Sequence, residues 1–156
     1  MSHKIKFHFK QPEESSGFLL WQVTMLWQKK INRVLDPFDL TLTQFVLMAS
    51  LGWLLKNQDA VTQVEIANHS NTDRMMVSKV LRTLQNKHYI ERHEHPTDTR
   101  AKMITLTKDG EKILQQALKV VEETDHLFFS TIGSQQKQFN KNLLQLLQSE
   151  TALNKE

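Results

Sequence analysis

Between Phe18 and Leu35 apolar residues return every three or four positions. Leu20, Val23, Trp27, Ile31 and Val34 define one face, and Phe18, Trp21 and Met25 widen it. This is the spacing of an amphipathic helix. Asp36-Pro37 ends it, because the residue before a proline is steered out of helical backbone. An apolar face so broad is hard to cover within one small monomer, which points to a subunit interface. In "LTLTQFVLMASLGWLLK" the apolar residues Phe45, Val46, Leu47, Met48, Leu51 and Trp53 surround the helix almost completely, so this helix is expected at the centre of the core. Thr41 and Gln44 stand at capping-box spacing before it.

A second capping box, Thr62-Gln63-Val64-Glu65, opens a short helix that runs to about His69. The polar turn "SNTD" offers several N-cap residues for a longer helix from about Asp73 to Lys87. Val77, Val80, Leu81 and Leu84 have core spacing there, whereas Arg74, Ser78 and Arg82 recur every four residues on the other face, with Met75 and Lys79 beside them. The period then changes from helical to alternating. "RHEHPTDTRAKMITLT", from Arg92 to Thr107, holds two alternating runs around Pro96-Thr97-Asp98-Thr99-Arg100 and predicts a hairpin with one buried face that includes Ile104 and Leu106. Thr107 is a candidate cap for a long helix containing Ile113, Leu114, Ala117, Leu118, Val121 and Phe128. Gly133 stops that helix, and Ser134 starts a last one with Phe139, Leu143, Leu144, Leu146 and Leu147. Near the start, "KIKFHFK" alternates too and predicts an arm or an edge strand, with a basic arm against phosphates as the alternative.

Composition narrows the class. A chain of 156 residues with 39% apolar and 24% charged residues is an ordinary globular chain, long enough for one domain or for two lobes sharing a core. No apolar run approaches the roughly 20 residues needed to span a bilayer. The start "MSHKIKFHFK" is too polar for the apolar centre of a signal peptide, so a cytoplasmic protein without membrane contact is expected. The absence of cysteine removes disulfides, thiolate metal sites and thiol nucleophiles. There is no phosphate loop, nucleophile elbow or His-Glu-x-x-His, and four glycines leave little material for an anion-cradling turn, so neither an enzyme nor a cofactor is expected. A balance of 20 Lys+Arg against 17 Asp+Glu gives a net charge of +3, which is compatible with a DNA reader only if the cations face one way.

Short helix, tight turn, longer helix and hairpin, in that order, describe a helix-turn-helix with a β wing. A B-form major groove about 12 Å wide accepts one helix, and that helix must bury one face while offering the other to base edges. A hairpin beside it reaches the adjacent minor groove, where a narrow groove attracts an arginine. The fold class expected is therefore mainly α with a small β-hairpin wing.

Residues 62–107 resemble the MarR family of bacterial winged-helix transcription regulators. The likeness rests on "TQVEIA" in the first helix of the motif, "VSKVLRTLQNKHYIER" leading into the wing, and "DTRAKMITLTKDG" with its Asp-x-Arg and strand ending Leu-Thr. "LTLTQFVLM" and the long terminal helices extend it over nearly the whole chain. The resemblance implies a homodimer with dimerisation helices in residues 1–36 and 110–156 and a winged helix-turn-helix in residues 37–109, binding a pseudo-palindromic operator on double-stranded DNA, as a repressor. It implies that Arg74, Met75, Ser78, Lys79 and Arg82 lie in or beside the major groove and that Arg100 enters the minor groove. Asp98 is expected to pair with an arginine and hold the wing tip in shape, since an acid facing phosphates would repel them. Many relatives bind small aromatic acids between their dimerisation and winged parts, which makes Trp21, Trp27 and Trp53 candidates for an effector pocket, with core aromatics as the alternative.

The chain departs from the family pattern in three places. His88 stands where glycine is usual after the recognition helix, Met76 where a small hydroxyl residue is common, and Ser70 where an apolar residue is common. Two other readings stay open. One is a winged module that binds protein. The other is a metal-responsive regulator built on His93 and His95, with Glu91 on the same strand face. Exposed hairpin histidines are the plainer account of that pair, and no metal is assigned.

Overall fold

The computed structural model describes residues 4–153, and for residues 150–153 only the backbone; residues 1–3 of the basic start and 154–156 lie outside it. By contacts the chain divides into two units, one ending at Val121 and one beginning at Glu122.

The first unit starts with an arm, residues 4–11, that forms no strand; Ile5 and Phe7 are exposed. Alternation predicts a strand only where a sheet edge is available, and here none accepts the arm. Helix α1 (Ser16–Leu35) is capped by the Ser15 side chain and buries only its C-terminal end, Ile31 and Leu35. Asp36-Pro37-Phe38 forms a short 3-10 turn that closes with Asp39 in left-handed backbone. Helix α2 (Leu42–Leu54) carries the predicted capping box, with both Thr41–Gln44 hydrogen bonds formed. It buries Phe45, Leu47, Met48 and Leu51, as a central helix should, but Trp53 is 59% exposed and lies under the Lys56 ammonium, 4.0 Å from its ring centre. The expectation that Trp53 belongs to the core is corrected: at the last turn of α2 its ring is largely in solvent, with the Lys56 ammonium over it.

Strand β1 (Val61–Thr62) was not foreseen. It pairs antiparallel with β3 (Lys102–Leu106), which also pairs with β2 (Ile90–Glu94), giving a three-stranded sheet in the order β1-β3-β2. The buried Val61 and Ile104 stand opposite each other in the ladder. Helix α3 (Gln63–Ser70) begins at the second capping box and ends in left-handed Asn71. Ser70, unusual at its position, is satisfied inside the turn, donating to the Ile66 carbonyl at 2.8 Å and bonding Thr72 Oγ1 at 2.9 Å. Helix α4 (Arg74–Asn86) follows after a three-residue turn.

Helix α5 (Lys108–Phe129) begins as predicted at Thr107, whose hydroxyl accepts the Gly110 N–H at 2.9 Å. Its first half contributes Leu114, Ala117 and Val121 to one apolar core together with α1, α2, α3, α4 and the sheet. In the second unit α5 runs into a 3-10 segment, Ser130–Gln135, broken at Gly133 (φ 54°, ψ −128°), a backbone that only glycine adopts easily. Helix α6 (Gln136–Leu153) starts two residues later than Ser134 suggested. Phe128, Phe129 and Phe139 make edge and tilted ring contacts at 5.0 and 6.1 Å, while Leu144, Leu146 and Leu147 are exposed. No single helix among the described residues is long and apolar enough to cross a membrane.

Candidate nucleic-acid interface

Asp73 fixes the start of α4. Its carboxylate accepts the Met75 N–H at 2.9 Å and the Met76 N–H at 3.1 Å, satisfying donors that every helix start leaves open. Val77, Leu81 and Leu84 are fully buried beneath the helix. Arg74, Met75, Met76, Lys79 and Arg82 are exposed, and Ser78 is half-buried between the two faces. Helical spacing brings Arg74, Ser78 and Arg82 onto one stripe, with Met75, 81% exposed, at its edge. Among the described residues none of Arg74, Lys79 and Arg82 is held in an ion pair. A row of uncompensated cations on an exposed face is free to meet an anionic surface.

The end of α4 is locked more tightly than its sequence promised. His88 adopts left-handed backbone (φ 60°), the Tyr89 N–H reaches back to the Leu84 carbonyl at 3.0 Å and the His88 N–H to Gln85 at 2.9 Å, the hydrogen-bond pair usually built on glycine. The linker then clamps onto α5: the Thr107 hydroxyl donates to the His88 carbonyl at 2.7 Å and the Thr107 N–H to the Tyr89 carbonyl at 3.0 Å. Gly110 is required here, since a Cβ would overlap the Tyr89 carbonyl. The Lys87 ammonium is bound by Asp39, through its carbonyl and through its carboxylate at 3.0 Å, and by Gln44 Oε1 at 3.4 Å. Helix α4 is thus tied at its far end to the turn between α1 and α2, a contact that sequence spacing does not reveal.

The wing tip, residues 95–101, is held by local hydrogen bonds. Asp98 Oδ1 accepts the Arg100 backbone N–H at 2.9 Å, and the Asp98 carbonyl accepts Ala101 N–H at 3.1 Å. Asp98 thus bonds the backbone N–H two residues on, and not an arginine side chain as expected. Short acids commonly prefer such a turn to an ion pair with a long, mobile partner. Arg100 is exposed at the tip and free of any ion pair among the described residues.

The histidines separate. His93 lies 3.3 Å from Glu91 on one strand face. His95 turns into the tip, where its Nδ1 accepts the Thr97 N–H at 3.2 Å and the Asp98 N–H at 3.1 Å. That geometry places the ring proton on Nε2. No group of three or more His, Cys, Asp or Glu able to hold a metal occurs among the described residues.

Two more titratable groups matter. The Thr62 N–H and hydroxyl on the Glu65 carboxylate, at 2.7 and 2.8 Å, hold it below the usual carboxylate range despite some burial. Arg92, which the sequence reading passed over, is half-buried; desolvation first, and the nearby Arg82 cation second, push its pKa down. The available signal was period two: Arg92 shares a strand face with buried Ile90, not with Glu91 and His93.

The three tryptophans occupy different settings. Trp21 is 63% exposed, Trp27 packs at the margin of the core, and Trp53 is exposed under Lys56. A polar cleft of about 470 Å³ is lined by Gln28, Asn32, Asp36, Leu40, Thr41, Leu42 and Thr43, and a more apolar one of about 640 Å³ lies between the arm and Phe18. None of the three tryptophans lines either cleft.

Comparison with known proteins gives a consistent result. Residues 40–102 match the sequence model of the MarR family. The chain is 42% identical over 142 residues to the uncharacterized HTH-type transcriptional regulator YdcH of Bacillus subtilis, covering 91% of this chain and 96% of that one. It is 31% identical over 100 residues to the multiple antibiotic resistance protein MarR of Salmonella typhimurium, covering 64% of this chain and 67% of that one. Among solved structures, the S. aureus MepR–DNA complex is similar with a TM-score of 0.76 and 29% identity, over 86% of this chain and 98% of MepR.

Proposed function

This chain belongs to the MarR family, and on that premise we propose that it is a homodimeric, sequence-specific DNA-binding regulator that represses transcription from a pseudo-palindromic operator in the cytoplasm. One observation carries the DNA reading: α4 buries Val77, Leu81 and Leu84 and leaves Arg74, Lys79 and Arg82 exposed without counter-ions among the described residues, next to a hairpin with Arg100, likewise unpaired among them, at its tip. In this reading Arg74, Met75, Ser78, Lys79 and Arg82 meet the major groove, and Arg100 the minor groove. That the similar MepR structure is a complex with DNA supports DNA as the partner.

Residues 1–36 and 110–156 supply the dimer interface and residues 37–109 the DNA-binding domain. The exposure of Phe18, Leu20, Trp21, Val23 and Leu26 on α1, and of Leu144, Leu146 and Leu147 on α6, supports this, because such faces are costly to leave in water. A dimer spaces two recognition helices for half-sites about 34 Å apart. A small aromatic effector, with Trp21, Trp27 and Trp53 as candidate contacts, releases DNA to the extent that it prefers a differently spaced dimer.

The test is a band-shift assay with duplex DNA from upstream of the chain's own reading frame, at fixed salt, beside sedimentation of the free protein. A selective complex of one dimer per site is the expected outcome. A folded dimer that binds this DNA no better than random duplex would overturn the reading.

A further inference from the structure

Arg92 lies in the middle of β2, opposite Ile104, on the face of the sheet that covers the core. Its Nη2 donates to Gln63 Oε1 at 3.1 Å, in the first turn of α3. Its Nε is buried with no hydrogen-bond partner among the described residues. Neither Arg92 nor Arg82 has an acidic partner among the described residues. The acid nearest on α3, Glu65, is already committed: Oε2 accepts from Thr62, and Oε1 from Gln58 at 3.4 Å.

A half-buried guanidinium with an orphaned N–H, set beside a second cation, is costly in the free protein. Buried donors are paired in the great majority of cases, and neighbouring like charges repel. An anion with several acceptor oxygens offsets the neighbouring cations, and it meets the buried N–H once the guanidinium swings off Gln63 toward solvent. Guanidinium and phosphate match in a planar, two-point contact. Position narrows the source of that phosphate. Arg82 is on the exposed stripe of α4, and Arg92 is on the strand that leads to the Arg100 tip. If α4 occupies a major groove and the tip the neighbouring minor groove, one sugar-phosphate strand must pass between them, over the base of the wing. We infer that Arg92 and Arg82 together form a clamp for a backbone phosphate of duplex DNA, the strand that separates the two grooves read by α4 and the wing. This deepens the DNA-binding reading and rests on it. The Gln63 contact then acts as a perch that holds Arg92 toward the strand while DNA is absent.

A phosphate clamp and a structural peg differ in what they predict. Met in place of Arg92 removes the charge and the orphaned donor but keeps an unbranched apolar stem. For a clamp, R92M melts at the same temperature as wild type or higher, while DNA affinity falls about tenfold on operator and on random duplex alike. The slope of log K against log salt becomes shallower by roughly 0.9 per subunit, the signature of one lost phosphate contact. R92K, which keeps the charge without the two-point geometry, retains the salt slope with intermediate affinity. If R92M leaves affinity and slope unchanged while the wild type binds DNA, the clamp does not exist. If R92M lowers the melting temperature and weakens binding with an unaltered slope, Arg92 is a structural peg and the inference fails. Wild-type protein that binds no duplex at all would instead overturn the DNA-binding reading itself.

Discussion

Helix α4 and the wing tip both carry exposed cations, yet they are held by opposite means. The helix stands on three fully buried side chains, Val77, Leu81 and Leu84, with a side-chain cap at one end and a left-handed turn clamped to α5 at the other. The tip has exposed residues from Pro96 to Arg100 and keeps its shape through bonds to His95 Nδ1, Asp98 Oδ1 and the Asp98 carbonyl, all within the same few residues. Burial makes the helix part of the core's cooperative unit. Local hydrogen bonds in water contribute about 1 kcal/mol or less each and leave the tip nearly independent of global stability. The same task, presenting an arginine at the proposed interface, is therefore coupled to folding in one element and uncoupled in the other.

The largest effect separating the two should come from Leu81→Ala. Truncating a fully buried leucine leaves a cavity and costs about 2–5 kcal/mol of stability. Chemical denaturation should show that loss, and DNA binding should fall with the folded fraction. No single substitution from Thr97 to Arg100 should lower stability by more than about 1 kcal/mol. A tip variant that unfolds the protein as readily as Leu81→Ala would break the distinction.

Arg100→Ala comes next. It should leave the thermal midpoint unchanged and reduce operator affinity by about 1–3 kcal/mol, the range of a good groove contact. Loss confined to operator, with little change on random duplex, would mark Arg100 as a reader of the site. Equal loss on both would make it a general phosphate contact. Unchanged operator affinity would show that the tip does not dock.

What could be read in the sequence follows the same division between local and non-local causes. Both capping boxes, the α4 start at Asp73 and the Thr107 cap depend on residues within three or four positions, and each formed where spacing put it; the long helix, expected to stop at Gly133, already ends at Phe129 and passes into a 3-10 segment that breaks at Gly133. The left-handed His88 was legible as a departure because the turn demands that backbone from whatever residue occupies it. The misses needed information from elsewhere in the fold. Alternation in "KIKFHFK" carried no strand because no sheet edge was offered, and Val61-Thr62 made one because β3 was there to pair with. Trp53 looked internal by residue type, but burial depends on what packs above. Arg92 and the Asp39–Lys87 contact join segments far apart in the chain.

His95 offers the finest test. Its unprotonated Nδ1 accepts two backbone N–H groups, the arrangement that asparagine or aspartate provides in a turn of this kind. His95→Ala deletes that acceptor. The freed N–H groups are near water, so the fold should not notice, but Arg100 would start from a looser tip and lose more entropy on docking. We expect operator affinity to fall about twofold to fivefold, equivalent to ~0.5–1 kcal/mol, with an unchanged melting temperature. His95→Asn, whose side-chain oxygen can accept the same donors, should recover most of the loss. Rescue by asparagine but not by glutamine, whose longer stem overshoots the turn, would show that the tip needs a short acceptor at this position. If alanine binds like the wild type, the tip is ordered by Asp98 alone, and local hydrogen bonding from two side chains is more than the wing requires.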